Sequence, residues 1–387
     1  MKLAGCLLVT CLAVGAPVSA SWAGVSAIAL VTSDPAADPA ADPGPNDDDQ
    51  DSKPDALRAV KVADIVTRAH GFLVEHQSED GSFSVVRGRK SKNAPVAVTG
   101  LATLSLMAAG HLPDHDPDFR RGHGYAVKRA IDWLVDHCKE SGDEAGYFHH
   151  DNDSVSRMHG QGYALLALTQ VAGMYGDDEV QRKRLHGAIQ RGVDLIERTQ
   201  GLRGGWWYNP VRGTNHEGSI TVCMIQALRA AKDAGFVVDP VVIAKAQNYM
   251  RESQDEKSGR FRYALKDDRM TWALTAAALS TLNSLGDYSS EMLDLGFEAL
   301  RRDDPFTGMG GGEAFQQYGA FYAAQSYWMH SDRRVFQDWW PRFVEAMADD
   351  QYADGSFPNG EFGTIYATAM VSLSLQVPFG YLPLFQR

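Results

Sequence analysis

The sequence predicts an all-α protein in which six helical hairpins close into a double ring, an α/α toroid. Three observations lead to this fold class. A turn that contains glycine and an aromatic residue recurs six times along the chain. The helix before each turn is apolar on one side only, which is typical of an outer helix in contact with water. The helix after each turn is apolar on nearly all sides and rich in alanine, which indicates burial inside a ring.

Each turn combines a polar residue, a glycine and an aromatic residue. The six turns start at Gln77, Cys138, Gln200, Gln254, Asp303 and Gln351. Glycine adopts the positive φ that a chain reversal after a helix requires, and the aromatic side chain can fill the space between neighbouring hairpins. Because these motifs recur whereas a catalytic site occurs once, we interpret them as structural.

Both helices of each hairpin can be placed from their apolar residues. In the first outer helix, Ile65, Ala69 and Phe72 repeat with the period of an α-helix. The buried inner helices are predicted over Val98–Ala109, Tyr163–Val171, Ile220–Ala231, Thr271–Leu285, Gly319–Tyr327 and Ile365–Leu375. With one outer helix for each, this makes twelve helices, and segments with the alternating pattern of a strand are nearly absent.

The first 58 residues are predicted to lie outside the ring. Residues 1–23 carry a positive charge at Lys2, an apolar stretch and small residues suited to cleavage, which are the features of a signal peptide. We therefore expect an exported protein, periplasmic or extracellular. Residues 24–58 are rich in aspartate, proline and alanine and are predicted to form a disordered spacer, so that the toroid occupies residues 59–387.

Composition excludes several classes of protein. The 387 residues are 44% hydrophobic, enough for a large core, and the net charge of −12 argues against nucleic acid as a partner. After the signal peptide, no apolar run is long enough to cross a membrane. Cys138 and Cys223 are the cysteines that remain, and their separation in the repeat pattern favours two free thiols.

At its turns the sequence resembles the terpenoid cyclase and protein prenyltransferase superfamily. Gln77–Phe83 and Gln351–Phe357 look like the QW repeat of squalene and hopene cyclases, and Gln200–Trp206 and Gln254–Phe261 are looser copies. The resemblance covers about residues 60–385 and implies the toroid fold. It implies function less specifically, because the same double ring carries cyclases, zinc prenyltransferases, polysaccharide lyases and complement-type thioester domains.

The cyclase resemblance directs attention to Asp267 and Asp268. Hopene-type cyclases protonate an alkene with an Asp-x-Asp-Asp-Thr-Ala motif at the start of an inner helix, and residues 265–271 are the nearest match. A leucine replaces the first aspartate, and Lys266 and Arg269 favour the ionised carboxylate, the wrong state for a proton donor. We therefore expect both carboxylates to be solvent-facing or salt-bridged at a helix start, where the helix dipole favours them.

The prenyltransferase resemblance implies a zinc site, which this sequence lacks. Those enzymes bind zinc with Asp-x-Cys on one inner helix and a histidine on another. The nearest match is Thr221–Cys223, where threonine replaces aspartate, and no histidine stands near Thr364 at the start of the last inner helix. No metal and no other cofactor are predicted.

Polar and aromatic residues at the starts of the inner helices predict a small-molecule site. His159 and His216 precede or begin consecutive inner helices at matching positions and are expected to approach each other. The other predicted cavity residues are Tyr163, Glu217, Trp272, Gln317, Tyr318, Phe321, Tyr322 and Tyr366. Aromatic walls with a few polar groups are the usual composition of a ligand site. The alternative is a packed axis in which the histidines are hydrogen-bonded.

Four functions are compatible with these observations. The leading hypothesis is an exported toroid whose central cavity binds an apolar or aromatic small molecule, with catalysis left open. The second is a terpenoid-cyclase-like isomerase. The third is an extracellular toroid that acts on a polysaccharide, with a glycan as ligand and a tyrosine or histidine as base. The fourth is a non-catalytic interaction scaffold built from the repeats alone.

Overall fold

A computed structural model of the chain describes residues 52–83, 93–113, 122–155, 157–175, 178–307, 315–358 and 362–385. The predicted signal peptide and most of the predicted spacer lie outside these residues. The first helix begins at Ser52, so the helical part of the chain starts earlier than the predicted boundary at residue 59. Residues 57–60, Leu-Arg-Ala-Val, are mostly good helix formers and extend the pattern of this helix upstream.

Twelve α-helices lie within the described residues and alternate between an outer and an inner layer. The outer helices are α1 (Ser52–Glu75), α3 (His123–Asp136), α5 (Glu179–Thr199), α7 (Pro240–Ser253), α9 (Glu291–Arg302) and α11 (Arg333–Asp350). The inner helices are α2 (Pro95–Ala108), α4 (Arg157–Gln170), α6 (Gly218–Asp233), α8 (Trp272–Ser284), α10 (Gln316–Met329) and α12 (Thr364–Leu375). An antiparallel pair of short strands, β1 (Arg262–Ala264) and β2 (Asp267–Met270), precedes α8. The predicted all-α toroid is confirmed.

The inner helices form a closed ring. Each one contacts the next inner helix along the chain, from α2 through to α12, and α12 contacts α2 in turn. All fourteen residues of α2 are buried, whereas burial in the outer helix α9 is confined to one face. This difference follows directly from the two apolar patterns in the sequence.

Glutamine side chains in the turns join neighbouring hairpins. Gln77 Nε2 donates to a carbonyl of its own turn (2.9 Å) and to the carbonyl of Ala126 in α3 (2.8 Å). Gln351 Nε2 makes the same pair of hydrogen bonds, to its own turn and to Ile65 of α1, each 2.9 Å long. The last turn is thereby bound to the first helix, which closes the outer layer as well.

The turn glycines lie against the next outer helix. Gly146 has a φ of +86°, and a Cβ atom placed on it would lie 1.8 Å from the carbonyl oxygen of Arg191 in α5. Gly204 and Gly355 make similar approaches of 2.2 Å to α7 and α1. A positive φ and a close backbone contact therefore both select glycine at these positions.

The aromatic residue of each turn identifies the outward side of the following inner helix. The backbone N–H of Trp206 donates to Thr221 Oγ1, and that of Phe357 donates to Thr368 Oγ1, both at 3.1 Å. The same hydrogen bond is made to Thr99 in the first hairpin. Residues two positions away from these threonines are rotated by about 200° around the helix and face the axis of the ring.

Two further expectations can be checked in the described residues. Among them, no helix has both the length and the apolar character needed to cross a membrane. Cys138 and Cys223 are buried and free, as predicted. Cys138 occupies the glutamine position of the second turn, where its Sγ donates to the carbonyl of Ala188 at 3.8 Å.

Candidate axial site

The register of the inner helices determines which side chains face the axis. In α4, Gln161 faces outward, because its Oε1 accepts from the Phe148 N–H at 3.0 Å. His159 and Tyr163 are therefore on the opposite, axial side. The axial residues obtained in this way are His159 and Tyr163 of α4, Ser219 and Cys223 of α6, Tyr318 and Tyr322 of α10, and Tyr366 of α12.

Aromatic rings surround His159 at the N-terminal ends of the inner helices. Its ring centroid lies 6.2 Å from that of Tyr163, 6.4 Å from Tyr318 and 6.5 Å from Tyr208. Tyr318 packs in turn against Tyr322, with centroids 4.7 Å apart. His159 is only half-buried, so this axial cluster is accessible to water at the N-terminal end of the ring.

The histidine, thiol and phenol side chains of the axial cluster are themselves uncharged at neutral pH, and the carboxyl group of Glu217 lies beside them. Burial lowers the pKa of His159 to about 4, so its imidazole is neutral. Burial also raises the pKa of the Cys223 thiol and of the Tyr163 and Tyr322 phenols, which stay protonated. Cys223 Sγ lies 3.8 Å from the carbonyl oxygen of His159, to which it donates. A group of uncharged side chains with aromatic walls is suited to an apolar or aromatic ligand.

Three phenol hydroxyls of the axial cluster lack a well-formed hydrogen bond to the described residues. They belong to Tyr163, Tyr318 and Tyr322, which are 3%, 8% and 0% exposed. The hydroxyls of Tyr163 and Tyr318 each lie close enough to that of Tyr322 to influence its ionisation. A buried polar group without a partner costs about 1–3 kcal/mol, a cost that a bound water or ligand removes.

A hydrogen-bonded floor closes the axis one helical turn deeper. Gln226 Nε2 donates to Gln325 Oε1 (3.0 Å) and to Ser280 Oγ (3.1 Å), which links α6, α10 and α8. Ser280 Oγ also donates to Gln325 Oε1 at 3.2 Å. Because α6 and α10 are separated in the ring by α8, the bond between their glutamines reaches across the interior. This hydrogen-bonded floor therefore lies below the axial cluster, on the side away from the half-buried His159.

Asp267 and Asp268 do not start an inner helix, which corrects the sequence prediction. They belong to β2, and α8 begins after them at Trp272 with Thr271 as its N-cap. A capping residue is extended, so the residues before it leave the helical path. Asp267 makes a bidentate salt bridge with Arg269, 2.6 Å at its closest, and these hydrogen bonds lower the pKa of the carboxyl group. Asp267 is therefore ionised at neutral pH.

The β1–β2 hairpin lies beside the open end of the axial cluster. The hydroxyls of Tyr263 and Tyr208 share a hydrogen bond of 2.6 Å, and Tyr208 is a neighbour of His159. The Arg269 guanidinium lies 4.0 Å from the centroid of the Tyr263 ring. Sequence reasoning missed both tyrosines, because they lie in a turn and a strand and not at the start of an inner helix.

His216 faces the outer layer, whereas the buried carboxyl group of Glu217 lies close enough to Cys223 and Tyr318 of the axial cluster for its charge to raise the pKa of both. His216 Nδ1 is 3.2 Å from the hydroxyl of Tyr249 in the outer helix α7, and the two ring centroids are 5.1 Å apart, so Tyr249 is the neighbour that orients His216. The buried carboxylate of Glu217 accepts hydrogen bonds from the N–H groups of Ser219 and Ile220 and caps α6. Burial raises the pKa of this carboxyl group, and the capping hydrogen bonds oppose that shift.

The remaining predicted residues have other neighbours. Trp272 Nε1 donates to the carbonyl of Leu300 in α9 at 3.1 Å, so this indole points towards the outer helix layer. Phe321 packs towards Phe385 near the C-terminus, with centroids 6.4 Å apart. Gln317 is half-buried at the start of α10, next to the axial Tyr318.

Asp153 is a buried carboxylic acid that sequence reasoning missed. It is 6% exposed and lies between the starts of α2 and α4, where the N–H groups of Val96 and His150 donate to it. Its Oδ2 has no hydrogen-bond partner among the described residues. Burial raises its pKa to about 7. The signal was present in the sequence, since Asp151-Asn152-Asp153-Ser154 retains two of the three aspartates of the cyclase motif.

Comparison with known proteins identifies the fold. No family model matches the chain, and no curated protein matches it in sequence. A variant of the type II terpene cyclase MstE from Scytonema, in complex with its substrate geranylgeranyl dihydroxybenzoate, is 14% identical. The match has a TM-score of 0.55 and covers 84% of this chain and 99% of that one.

Two enzymes with carbohydrate ligands or substrates match equally well. An inactive variant of the α-1,6-mannanase GH76A of Salegentibacter sp. HEL1_6, in complex with α-1,6-mannotriose, is 10% identical with a TM-score of 0.56, covering 82% of this chain and 99% of that one. Cellobiose 2-epimerase from Bacillus thermoamylovorans B4167 is 11% identical with a TM-score of 0.55, covering 83% and 100%. At these identities the likeness shows the fold alone. The chain has the α/α toroid fold of terpene cyclases and of these two enzymes.

Proposed function

We propose that this protein is an exported toroid that binds an apolar or aromatic small molecule in its axial site. The observation that carries the proposal is the uncharged axial cluster around His159, with phenol rings as walls and the Gln226–Gln325 pair as floor. A cavity of this composition gains most from a ligand that buries apolar surface. A glycan with carboxylate groups would bring its charge into buried surroundings beside the carboxyl group of Glu217, which makes an acidic polysaccharide less favourable.

The export part of the proposal rests on residues 1–23 alone. Their charge, apolar stretch and small residues are those of a cleavable signal peptide. N-terminal sequencing of the protein secreted by its own host is expected to start near Ser21 or Gly24. A start at Met1 in protein recovered from the cytoplasm would contradict export and leave the axial site unaffected.

Ligand binding can be tested by filling the open end of the axis. Ser219 is half-buried in the first turn of α6, where its Oγ donates to the Glu217 carboxylate, so its replacement by tryptophan adds bulk at the N-terminal end of the ring without removing any aromatic wall. We expect Ser219→Trp to weaken the binding of geranylgeraniol, followed by intrinsic fluorescence, at least about tenfold. Ser219→Ala is the matched control, because it removes the same hydroxyl without adding bulk. Unchanged binding by the tryptophan variant, or no binding by the native chain, would contradict the proposal.

A second candidate function, acid-initiated isomerisation of a prenylated substrate, is favoured by Asp153. A carboxyl group with a pKa of about 7 is about half protonated at neutral pH, and its Oδ2 has no partner among the described residues. Protonation of an alkene by such an acid produces a carbocation, which aromatic faces stabilise. MstE, whose fold is similar, binds a geranylgeranyl substrate.

The acid hypothesis is tested by comparing two aspartates. Native chain, Asp153→Asn and Asp267→Asn are incubated with geranylgeraniol and squalene, and cyclised products are sought by mass spectrometry and gas chromatography. A proton donor at Asp153 predicts a loss of at least about 100-fold in Asp153→Asn and of less than about tenfold in Asp267→Asn. Cyclisation that survives in Asp153→Asn would exclude this residue as the acid.

A further inference from the structure

We infer that the ligand of the axial site carries a hydroxyl group, and that this group is bound between the phenols of Tyr163 and Tyr322 and the side-chain carbonyl of Gln226. The inference rests on the proposed function, namely that the axis holds a small molecule. It adds the chemical class of that molecule: an alcohol or a phenol with an otherwise apolar body.

The donor side of this subsite is made of buried phenols. The hydroxyls of Tyr163, Tyr318 and Tyr322 lie near one another and have no well-formed hydrogen bond to the described residues. Even if the three bonded in a chain, the last hydroxyl would still have an O–H to donate, because each phenol has a single proton. The axial cluster therefore offers a donor in a place that excludes most solvent.

The acceptor side is the Oε1 atom of Gln226. This residue is 1% exposed, and Oε1 has no hydrogen-bond partner among the described residues. The orientation of the amide follows from its neighbours. Gln325 uses its own Nε2 on the carbonyl of Phe321 (3.2 Å), so its Oε1 must accept, and the group that donates to it is Gln226 Nε2. Gln226 Oε1 is thereby left as a free acceptor.

The helix geometry brings donor and acceptor within reach of one atom. Cys223 is close enough to Tyr163 and Tyr322 to influence the ionisation of both, and Gln226 follows it by three residues, rotated by about 60° around α6. Three residues correspond to a rise of about 4.5 Å. One oxygen atom that accepts from a phenol and donates to Gln226, each at about 2.8 Å, spans such a distance.

Among a hydrocarbon, a ketone, an ether, a carboxylate and an alcohol, the alcohol hydroxyl matches both sides. A hydrocarbon would leave the phenols and Gln226 Oε1 unpaired, and a ketone or ether accepts from the phenols but has no proton for Gln226. A carboxylate would place its charge against the lone pairs of Gln226 Oε1, in a buried site that already has the carboxyl group of Glu217 beside it. The hydroxyl accepts and donates at the same time, so it satisfies the subsite completely.

The first experiment uses the native chain with three matched ligands. Geranylgeraniol, its methyl ether and the corresponding C20 hydrocarbon have the same apolar body and differ at one position. We expect the alcohol to bind at least about tenfold more tightly than the hydrocarbon, with the ether in between, because the ether makes one of the two hydrogen bonds. Equal affinities for alcohol and hydrocarbon would overturn the inference while leaving the axial site intact.

The second experiment removes the two sides of the subsite separately. Gln226→Met deletes the acceptor, and the double variant Tyr163→Phe/Tyr322→Phe deletes donors, with little change in volume. Each is expected to reduce the alcohol-over-hydrocarbon preference to below about threefold while the hydrocarbon affinity stays the same. Tyr249→Phe is the control, since its hydroxyl bonds to His216 outside the axial cluster.

The outcomes separate the inference from the function on which it rests. If none of the three ligands binds, the proposed function fails. If all bind and the preference persists in both variants, the function stands and the hydroxyl subsite is wrong. A variant that fails to fold, checked by circular dichroism, leaves the ligand series in the native chain as the deciding measurement.

Discussion

In the turns of this ring, the amide N–H groups of glutamine side chains are paired; on its axis, several phenol hydroxyls are not. Gln77 and Gln351 each donate to two carbonyls and hold successive hairpins together. On the axis, Tyr163 and Tyr322 are buried with no well-formed hydrogen bond to the described residues. The turn residues recur in hairpin after hairpin, whereas the axial residues differ from helix to helix. Repetition therefore marks stability in this fold, and the candidate ligand site is found where several unpaired, non-repeated polar groups lie together.

The fifth turn shows what happens when the repeated residue is replaced. The first residue of a turn follows a given position of its outer helix by nine residues, as Gln77 follows Arg68 and Gln351 follows Arg342. In the fifth hairpin the same spacing from Leu295 leads to Asp304, which therefore occupies the glutamine position. An ionised aspartate cannot donate as glutamine does. Asp304 accepts instead, from Arg342 at 3.4 Å and from the N–H of Phe306 at 3.0 Å. A cavity of about 380 Å³ lies at this seam, lined in part by Asp304, Arg342, Arg301 and Tyr327.

The largest expected effect tests the turns. Gly146→Ala places a Cβ atom 1.8 Å from the Arg191 carbonyl oxygen at a φ of +86°. Backbone strain and the clash together are expected to lower the free energy of unfolding by at least about 3 kcal/mol, measured by urea denaturation. Gly142→Ala is the control, because Gly142 has a φ of +79° with nothing within 4 Å of the added atom. It should lose only about 1 kcal/mol. Equal losses in both variants would show that the contact with Arg191 is unimportant.

The next effect tests the axis through pH. The folded-state pKa of His159 is about 4, below the ordinary value of 6.5, so the unfolded chain binds this proton more readily. Stability is therefore lost as the pH falls from 6.5 towards 4. Through His159, the free energy of unfolding is expected to be about 2 kcal/mol lower at pH 5 than at pH 8. His159→Phe keeps an aromatic ring and removes the proton, so its unfolding free energy should fall less between pH 8 and pH 5. Identical pH profiles would place His159 in contact with water when folded.

A smaller effect tests the exception among the turns. Asp304→Gln restores the residue found in four of the other turns. The neighbouring Arg342 is compatible with a glutamine here, because Arg129 donates to Gln77 in the first turn. Burial raises the pKa of Asp304, so the ionised group opposes folding increasingly as the pH rises above 3.8. The variant should be more stable than the native chain by about 1 kcal/mol at pH 7, and the gain should shrink towards pH 4. A gain that does not depend on pH would assign the effect to something other than the carboxylate.

The fold could be predicted because the repeated residues encode it locally. Gln77–Phe83 and Gln351–Phe357 contain the glutamine, glycine and aromatic residue that make the contacts between hairpins. Together with the two apolar patterns, such turns specify the number of hairpins and the two layers. The start of α1 at Ser52 was missed because a helix end depends on local propensity more than on periodicity.

The axial site could be predicted only in part. Tyr163, Tyr318 and Tyr322 were found because they lie in buried helices at the correct end of the ring. Trp272 was misassigned, because one residue of error in register rotates a side chain by about 100°. That register becomes clear only from contacts such as Trp206 with Thr221. Residues carried by turns, such as Tyr208 and Asp153, follow no periodic pattern and need the folded chain to be seen.

The smallest expected effect concerns Asp267, which lies outside the axial cluster. Its carboxylate forms a bidentate salt bridge with Arg269 on the surface, and such exposed pairs contribute little to stability. The hydrogen bonds from Arg269 lower the pKa of Asp267, so at neutral pH it has no proton to give. Asp267→Asn keeps the shape of the side chain and one acceptor oxygen. We therefore expect an unchanged urea midpoint, an affinity for geranylgeraniol within about threefold of the native value, and less than about tenfold loss of any cyclising activity. A larger loss of cyclisation, with binding unchanged, would identify Asp267 as the proton donor and contradict that role for Asp153.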